Sequence, residues 1–364
     1  MNEQPTITRF SIRQPIFTCF LALLLLAGCS DDLLNDPTGS GDGQVLVLNE
    51  GNFSDGNGSL TVYDPDSKES LLRAYQQANS SEFTGIIQSG TLAGGDLFIV
   101  KNNPNEIEIL DPVTLKSNNV ISVGEQEITP VHVVRLNNEK GYLSSLYDGR
   151  VYILNLQEGS VEEEWIEVGN NPQQMLIAGN RLFVANSGFG NDNRVSVIDT
   201  QTDELLTHIT VGTGPSRLEL DSNNRIWVLS RGLQAYDGTE RDPENDQPGQ
   251  VDLIDPSGLS HLATIETGGF PTAFALDPLN GTAWVVNDDQ VQQINMETLS
   301  LDEERTIDES YHGIGFYQER GEFYLAENTS YEQNGRVIVY SLEGAPVDTF
   351  ATGIAPKDFL FLER

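Results

Sequence analysis

Seven short segments of one pattern recur along the chain: LTVYD (60–64), IEILD (107–111), VYILN (151–155), VSVID (195–199), VDLID (251–255), VQQIN (291–295) and VIVYS (337–341). Their last residues lie 47, 44, 44, 56, 40 and 46 positions apart. A period in the forties built from strand-type runs implies an all-β, seven-bladed β-propeller with one four-stranded blade per repeat. Such a fold is a scaffold, and activity has to be sought in its loops.

Each repeat holds more than its anchor segment. A strongly apolar strand comes first: VLVLN (45–49), LFIVKN (97–102), GYLSSLY (141–147), RLFVANS (181–187), RIWVLSR (225–231), TAWVVN (282–287) and EFYLAEN (322–328). Ahead of it a turn often ends in proline, as in VGNNP (168–172), VGTGP (211–215), TGGFP (267–271) and TGIAP (352–356). Glycine admits positive φ in such turns, and proline presets φ and cannot donate to a central ladder. The expected order within a blade is an inner strand after the turn, the apolar strand, the anchor strand and an outer strand. Alternation in VSVID and VDLID fits half-buried strands, and the continuous LFIV and TAWVV fit strands packed on both faces. No long amphipathic helix is expected.

The ends are complementary. The propeller region opens on an apolar second strand and closes on a turn plus an inner-type strand, KDFLFLER (357–364). That C-terminal strand is expected to complete the first blade, which leaves no unpaired edge at the seam.

The first 28 residues read as an address. Arg9 and Arg13 precede an apolar run over 16–27 interrupted only by Thr18. The run is too short for a membrane span of about 20 residues and suits a signal peptide. It ends Leu26-Ala27-Gly28-Cys29, which looks like a bacterial lipobox with Cys29 taking the lipid. The expected layout is a lipoprotein signal over 1–28, the lipidated cysteine and a flexible tether over 29–43, and the propeller over 44–364.

Only Cys19 and Cys29 occur, the first in the leader and the second acylated, so neither a disulfide nor a cysteine metal site is expected. The net charge is −35. A surface this acidic repels nucleic acid and anionic lipid. The acids are spread along the whole chain, as in a salt-adapted solvation surface rather than one acidic binding patch.

Motifs for catalysis are missing. His132, His208, His261 and His312 form neither an HxH nor an HExxH pattern. His208 and His261 fall in outer-strand positions, whereas His132 and His312 follow turns and could face the axis. No nucleophile elbow, phosphate loop or dinucleotide fingerprint appears. The acidic stretch DPENDQPG (242–249) lacks calcium-loop spacing and reads as a solvated loop. The expectation is no enzyme, no catalytic residue, no bound metal and no covalent cofactor.

The loops joining the second and third strands are the variable set, and alternation of strand direction puts them on one face with the turns that lead into the inner strands. They are rich in Asn, Gly and isolated aromatics: NEGNFSDGNG (49–58), NSGFGNDN (186–193), a 20-residue loop over 231–250 and NTSYEQN (328–334). Amides supply hydrogen bonds and rings supply rigid apolar contact, although Asn and Gly are also plain turn formers. The candidate ligand-binding residues are Asn49, Glu50, Asn52, Phe53, Lys101, Tyr147, Asn186, Phe189, Arg231, Tyr236, Asn287, Asn328 and Tyr331.

The VxVID anchors with VGxxP turns resemble the YncE-like seven-bladed propellers over essentially residues 45–364. The segments LNEGNF (48–53) and NGSLTVYD (57–64) look like surface lipoproteins of Bacteroidota-type bacteria, a subgroup that includes the BtuG-type cobalamin-binding propellers. Ser30-Asp31-Asp32 after Cys29 resembles the surface-export signal of such lipoproteins. The resemblance implies a monomeric, lipid-anchored outer-membrane protein exposed on the cell surface. It would capture cobalamin or a similar cofactor or chelate for a TonB-dependent transporter. Two other readings stay open: an adhesion or protein-scaffolding propeller without a small ligand, and a lactonase-like hydrolase.

Overall fold

The computed structural model describes residues 43–327 and 330–362. The expected leader and Cys29, and Asn328 among the candidates, lie outside the described residues. Seven four-stranded antiparallel sheets form the seven blades. Blade 2 is typical: inner strand Ile86–Ala93, then Asp96–Asn102, Glu106–Leu110 and outer strand Ser117–Ser122, paired in that order. All seven expected anchors are third strands.

Blade 1 closes the ring. Its inner strand is the C-terminal Pro356–Phe361, antiparallel to Val45–Asn49, with Val45 opposite Phe361, Leu46 opposite Leu360 and Val47 opposite Phe359. The Leu362 N–H extends the ladder by donating to the Gln44 carbonyl at 2.9 Å. The pairing joins the two ends of the propeller and removes both free edges.

The core is divided among the blade interfaces. Among the described residues there are seven buried apolar clusters, and each spans two neighbouring blades. Strand periodicity explains this. In Asp96–Asn102, Leu97 and Ile99 pack towards blade 1, whereas Phe98 and Val100 pack towards blade 3. A second strand therefore needs apolar side chains at every position, because successive residues point to opposite faces and both faces are covered. The interface of blades 7 and 1 is the most aromatic: Tyr63 stacks on Phe350 at 3.8 Å, and Phe361 lies 5.0 Å from Tyr317 and 5.4 Å from Tyr324.

Two local features depart from the expected pattern. A six-residue helix, Ala74–Asn79, follows the three-residue outer strand Glu69–Leu71 of blade 1. Its Tyr75 packs edge-on to Phe83 at 5.1 Å, and Asn79 Nδ2 donates to the Leu115 carbonyl at 2.8 Å. The helix covers the blade 1–2 cluster where the outer strand is too short. In blade 5, the loop over 231–250 is partly ladder. Ile226–Leu233 and Gln247–Asp255 run on past the blade, pairing Gly232 with Pro248 and Leu233 with Gln247. A small hairpin, Tyr236–Asp237 with Glu240–Arg241, forms the tip.

Candidate functional site

Turn prolines start the inner strands at Pro130, Pro172, Pro215, Pro271 and Pro356. The residues just after each proline line the axis of the ring. There they enclose a cavity of about 360 Å³ whose lining comes from all seven blades. A second cavity of about 470 Å³ lies beside it over blades 4, 5 and 6. The two share Gln173, Ser216, Arg231 and Thr272, so they form one continuous funnel on the face of the loops between second and third strands.

The funnel's charges differ from those of the rest of the molecule. The chain has 20 Lys and Arg against 55 Asp and Glu. The axial cavity holds Arg217, Arg231 and Lys357 against Glu50 and Asp358. Arg217 of blade 5 meets Asp358 of blade 1 across the axis, Nη1 to Oδ2 at 3.4 Å. Glu50 Oε2 sits 3.9 Å from both Lys357 Nζ and His312 Nε2. Burial pushes the Glu50 carboxyl up, but the His312 contact and the Lys357 charge outweigh it and hold its pKa below the usual value. Burial pushes Lys357 down, against the pull of Glu50 and Asp358. Arg231 is lowered by burial and then by Arg217, a like charge. Its side chain is nevertheless exposed, because the space around it is the funnel itself. With a reference pKa above 12 it stays a cation.

Two other titratable groups on the inner strands are shifted towards their neutral forms. Burial lowers the His132 pKa to about 4, and its Nδ1 accepts the Met175 N–H at 3.4 Å. Glu219, two residues beyond Arg217 on the strand Pro215–Leu220, is raised to about 8 by burial.

The sequence candidates separate into groups. Glu50 and Arg231 line the axial cavity, and Arg231 and Phe189 line the side cavity. Phe189 holds a left-handed backbone with φ of 50° in the turn Gly188–Gly190, and its ring is 59% exposed. A bulky residue in that region is strained, and such strain gathers at functional sites. Tyr147 adds a ring 6.3 Å from Phe189. Tyr331 stands edge-on to His312 at 6.4 Å, and Asn52 Nδ2 donates to the Tyr331 carbonyl at 2.9 Å, tying the loops of blades 1 and 7. Phe53 and Tyr236 are exposed, the latter under Arg241 at 5.3 Å, and neither lines the two cavities. Gly51 makes the blade 1 loop possible: its φ is +86°, and a Cβ there would run into the backbone of Gly58.

Asn49, Lys101, Asn186 and Asn287 belong to the blades rather than to the solvent face. Asn49 and Asn186 are fully buried. Asn49 Nδ2 donates to the Ser59 carbonyl and to Thr61 Oγ1, both at 3.0 Å. Asn186 Nδ2 reaches the Arg194 carbonyl and Ser196 Oγ, and its Oδ1 accepts the Gly169 N–H. Asn287 Nδ2 donates to the Thr267 carbonyl at 2.9 Å. These three asparagines stand opposite Pro356, Pro172 and Pro271, which have no N–H to offer the ladder. Lys101 is buried between Glu108 at 2.8 Å and Glu106 at 3.2 Å.

Sequence reasoning did not select Arg217, Lys357, Asp358 and Phe270. The signal was present for the first three: each is the first or second residue after a turn proline, the position that faces the axis.

A family model described as "Domain of unknown function (DUF5074)" matches residues 42–231. No curated protein matches the chain. Several solved structures share the fold at low identity. A quinonprotein alcohol dehydrogenase-like protein from Bacteroides thetaiotaomicron is 14% identical with a TM-score of 0.66, covering 88% of this chain and 78% of that one. The dihydro-heme d1 dehydrogenase NirN, solved in complex with DHE, is 10% identical with a TM-score of 0.59, covering 88% and 75%. Apo AztD from Citrobacter koseri is 12% identical with a TM-score of 0.54, covering 87% and 96%. At these identities the likeness is one of fold.

Proposed function

We propose that this chain, which belongs to the DUF5074 family, is a ligand-capture propeller whose funnel takes up cobalamin or a similar cofactor or chelate. The observation that carries this reading is the composition of one face. Exposed Phe189 lines a funnel whose floor is polar, Tyr147 lies 6.3 Å from Phe189 and Tyr331 6.4 Å from the funnel's His312, and the Arg231 side chain has no ion pair or hydrogen bond among the described residues. Rigid rings around a recess give a large ligand wide apolar contact, and polar groups below fix its orientation. The site is read as a binding site and not a catalytic one. His132 is neutral and buried with its Nδ1 occupied, and His312 is set against Glu50.

The resemblance to YncE-like and BtuG-type lipoproteins supports the cellular setting. In this reading Cys29 carries the lipid, the propeller stands on the outer surface, and cargo passes to a TonB-dependent transporter. Labelling with a palmitate analogue that persists in Cys29→Ser would remove the anchor from the proposal.

The central test is calorimetry of residues 44–364 with cyanocobalamin, haemin and a ferric siderophore. One of them is expected to bind. Phe189→Ala and Tyr331→Ala should each weaken that ligand by about thirtyfold, the effect of losing roughly 2 kcal/mol at a binding hot spot. Asn223→Ala, in a turn on the opposite face, should leave affinity unchanged. No heat with any of the three at micromolar protein would overturn capture of such cofactors.

A further inference from the structure

We infer that the junction of the two cavities is a preformed subsite for one singly charged oxyanion group, a phosphodiester or a carboxylate, borne by an otherwise apolar ligand. The inference rests on the capture reading for its biological cargo, and on the following chemistry for its site.

The first observation is a charge count. Two of the three cations in the axial cavity have an acid: Arg217 has Asp358 at 3.4 Å, and Lys357 has Glu50 at 3.9 Å. Arg231 has neither an ion pair nor a side-chain hydrogen bond among the described residues. Asp288 also lines the side cavity, so the funnel as a whole has three acids for its three cations, but Arg231 is the cation left without an ion pair, in a protein of net charge −35. Its nearest charged influence is repulsive, since Arg217 acts on it as a like charge. An incoming anion would relieve that repulsion and complete the set. Guanidinium suits the task because its planar fork matches two oxygens of a phosphate or carboxylate.

The second observation is placement. Arg231 belongs to both cavities, and the other three shared residues, Gln173, Ser216 and Thr272, carry side-chain donors, although Ser216 Oγ also reaches the Leu229 carbonyl at 3.4 Å and Gln173 Nε2 the Asn171 carbonyl at 3.3 Å. On the side away from the axis the apolar lining comes from Phe189, Leu233 and Phe270, with Gln234 and Asp288 beside them. A ligand with its anionic group over Arg231 would thus lay its apolar part against these three apolar side chains. The arrangement is rigidly supported. The Arg231 N–H donates to the Gly214 carbonyl at 2.9 Å, and the next N–H, of Gly232, donates to the Thr213 carbonyl at 2.8 Å. The strand that carries Arg231 is thereby fixed to the turn before Pro215.

The experiment titrates residues 44–364 with dimethyl phosphate and, separately, with acetate at constant chloride, following the arginine Nε–H resonances. Saturable binding of either probe is expected, with a Kd of about 1–10 mM for so small a contact. A response to dimethyl phosphate alone identifies a phosphodiester, and a response to acetate alone a carboxylate. Arg231→Gln should weaken binding at least tenfold with an unchanged melting temperature. Glu50→Gln, which removes one competing acid, should tighten it. The subsite is overturned if neither probe saturates, or if Arg231→Gln binds as the wild type does. Oxyanion binding without binding of any cofactor would refute capture and keep the subsite. A cofactor bound equally by wild type and Arg231→Gln would do the reverse.

Discussion

The strand Pro356–Phe361 passes through two different environments in six residues. At one end Phe359 and Phe361 lie among Tyr317, Tyr324 and Val47 in the seam between blades 7 and 1. At the other end Lys357 and Asp358 face the axial cavity beside Glu50 and Arg217. The seam is aromatic and its ladder runs in register from Val45 opposite Phe361 to Leu48 opposite Asp358. The funnel mouth is polar, and one of its cations is left without an ion pair. The contrast shows that stability is held between blades while recognition is held on the axis. The chain can keep an unmatched arginine at the mouth because no blade interface depends on it.

The largest expected effect breaks the seam. Deleting 357–364 removes the strand that pairs with Val45–Asn49. Each buried apolar side chain lost costs about 1.5–3 kcal/mol. Over the buried Phe359 and the half-buried Leu360 and Phe361, with the lost ladder of Val45–Asn49, that is a large share of a domain's stability of roughly 5–15 kcal/mol. Thermal melting followed by circular dichroism should show a collapsed or absent transition; an unchanged midpoint would mean that the seam does not hold the ring.

A smaller effect comes from the axis. The folded His132 pKa, about 4, is below its ordinary 6.5. Between pH 6.5 and 4 the unfolded chain binds a proton that the folded one refuses, so stability falls as pH drops through that window. Glu219 behaves oppositely. Its folded pKa, about 8, exceeds the ordinary 4.5, so the folded state holds the extra proton between these values and stability falls as pH rises from 4.5 to 8. The two trends offset each other between pH 4.5 and 6.5. Above 6.5 the His132 contribution has ended and the Glu219 effect continues. The melting temperature of the wild type should therefore decline from pH 6.5 to 8, and Glu219→Gln should flatten that decline. Parallel curves for the two proteins would show that Glu219 is not the axial acid responsible.

The smallest effect belongs to neither region. With a net charge of −35 spread along the chain, screening by sodium chloride should raise the melting temperature modestly by easing carboxylate repulsion. Arg231→Gln makes the protein one unit more negative and should strengthen this salt response slightly. A midpoint that falls steadily with salt would indicate that attractive pairs, such as Arg217 with Asp358, outweigh the repulsion.

Much of this was legible in residues near one another in the chain. The anchors VSVID and VDLID marked third strands because alternation is a local property of a half-buried strand. LFIV marked a strand covered on both faces, and Leu97 to Val100 do divide between two interfaces. Glu50, Phe189 and Arg231 were chosen because they sit in or beside loops of unusual composition, and the structure brings them to the lining of the two cavities. Asn49, Asn186 and Asn287 looked like the same kind of residue and serve the blades instead. Asparagine is equally suited to capturing a ligand and to satisfying a ladder opposite proline, and only burial distinguishes the two.

The sequence by itself determined the number of blades, the order of their strands and the closure of the ring by the C-terminal strand. The first two follow from periods of two residues and of some forty residues, and the third from the complementary strands at the two ends of the propeller region. Only the tertiary structure decided that Arg217, Arg231, Lys357 and Glu50 would share one cavity. They come from blades 1 and 5, widely separated along the chain. Their meeting depends on which strand end faces the axis once the ring has closed, and no local pattern of hydrophobicity records that direction.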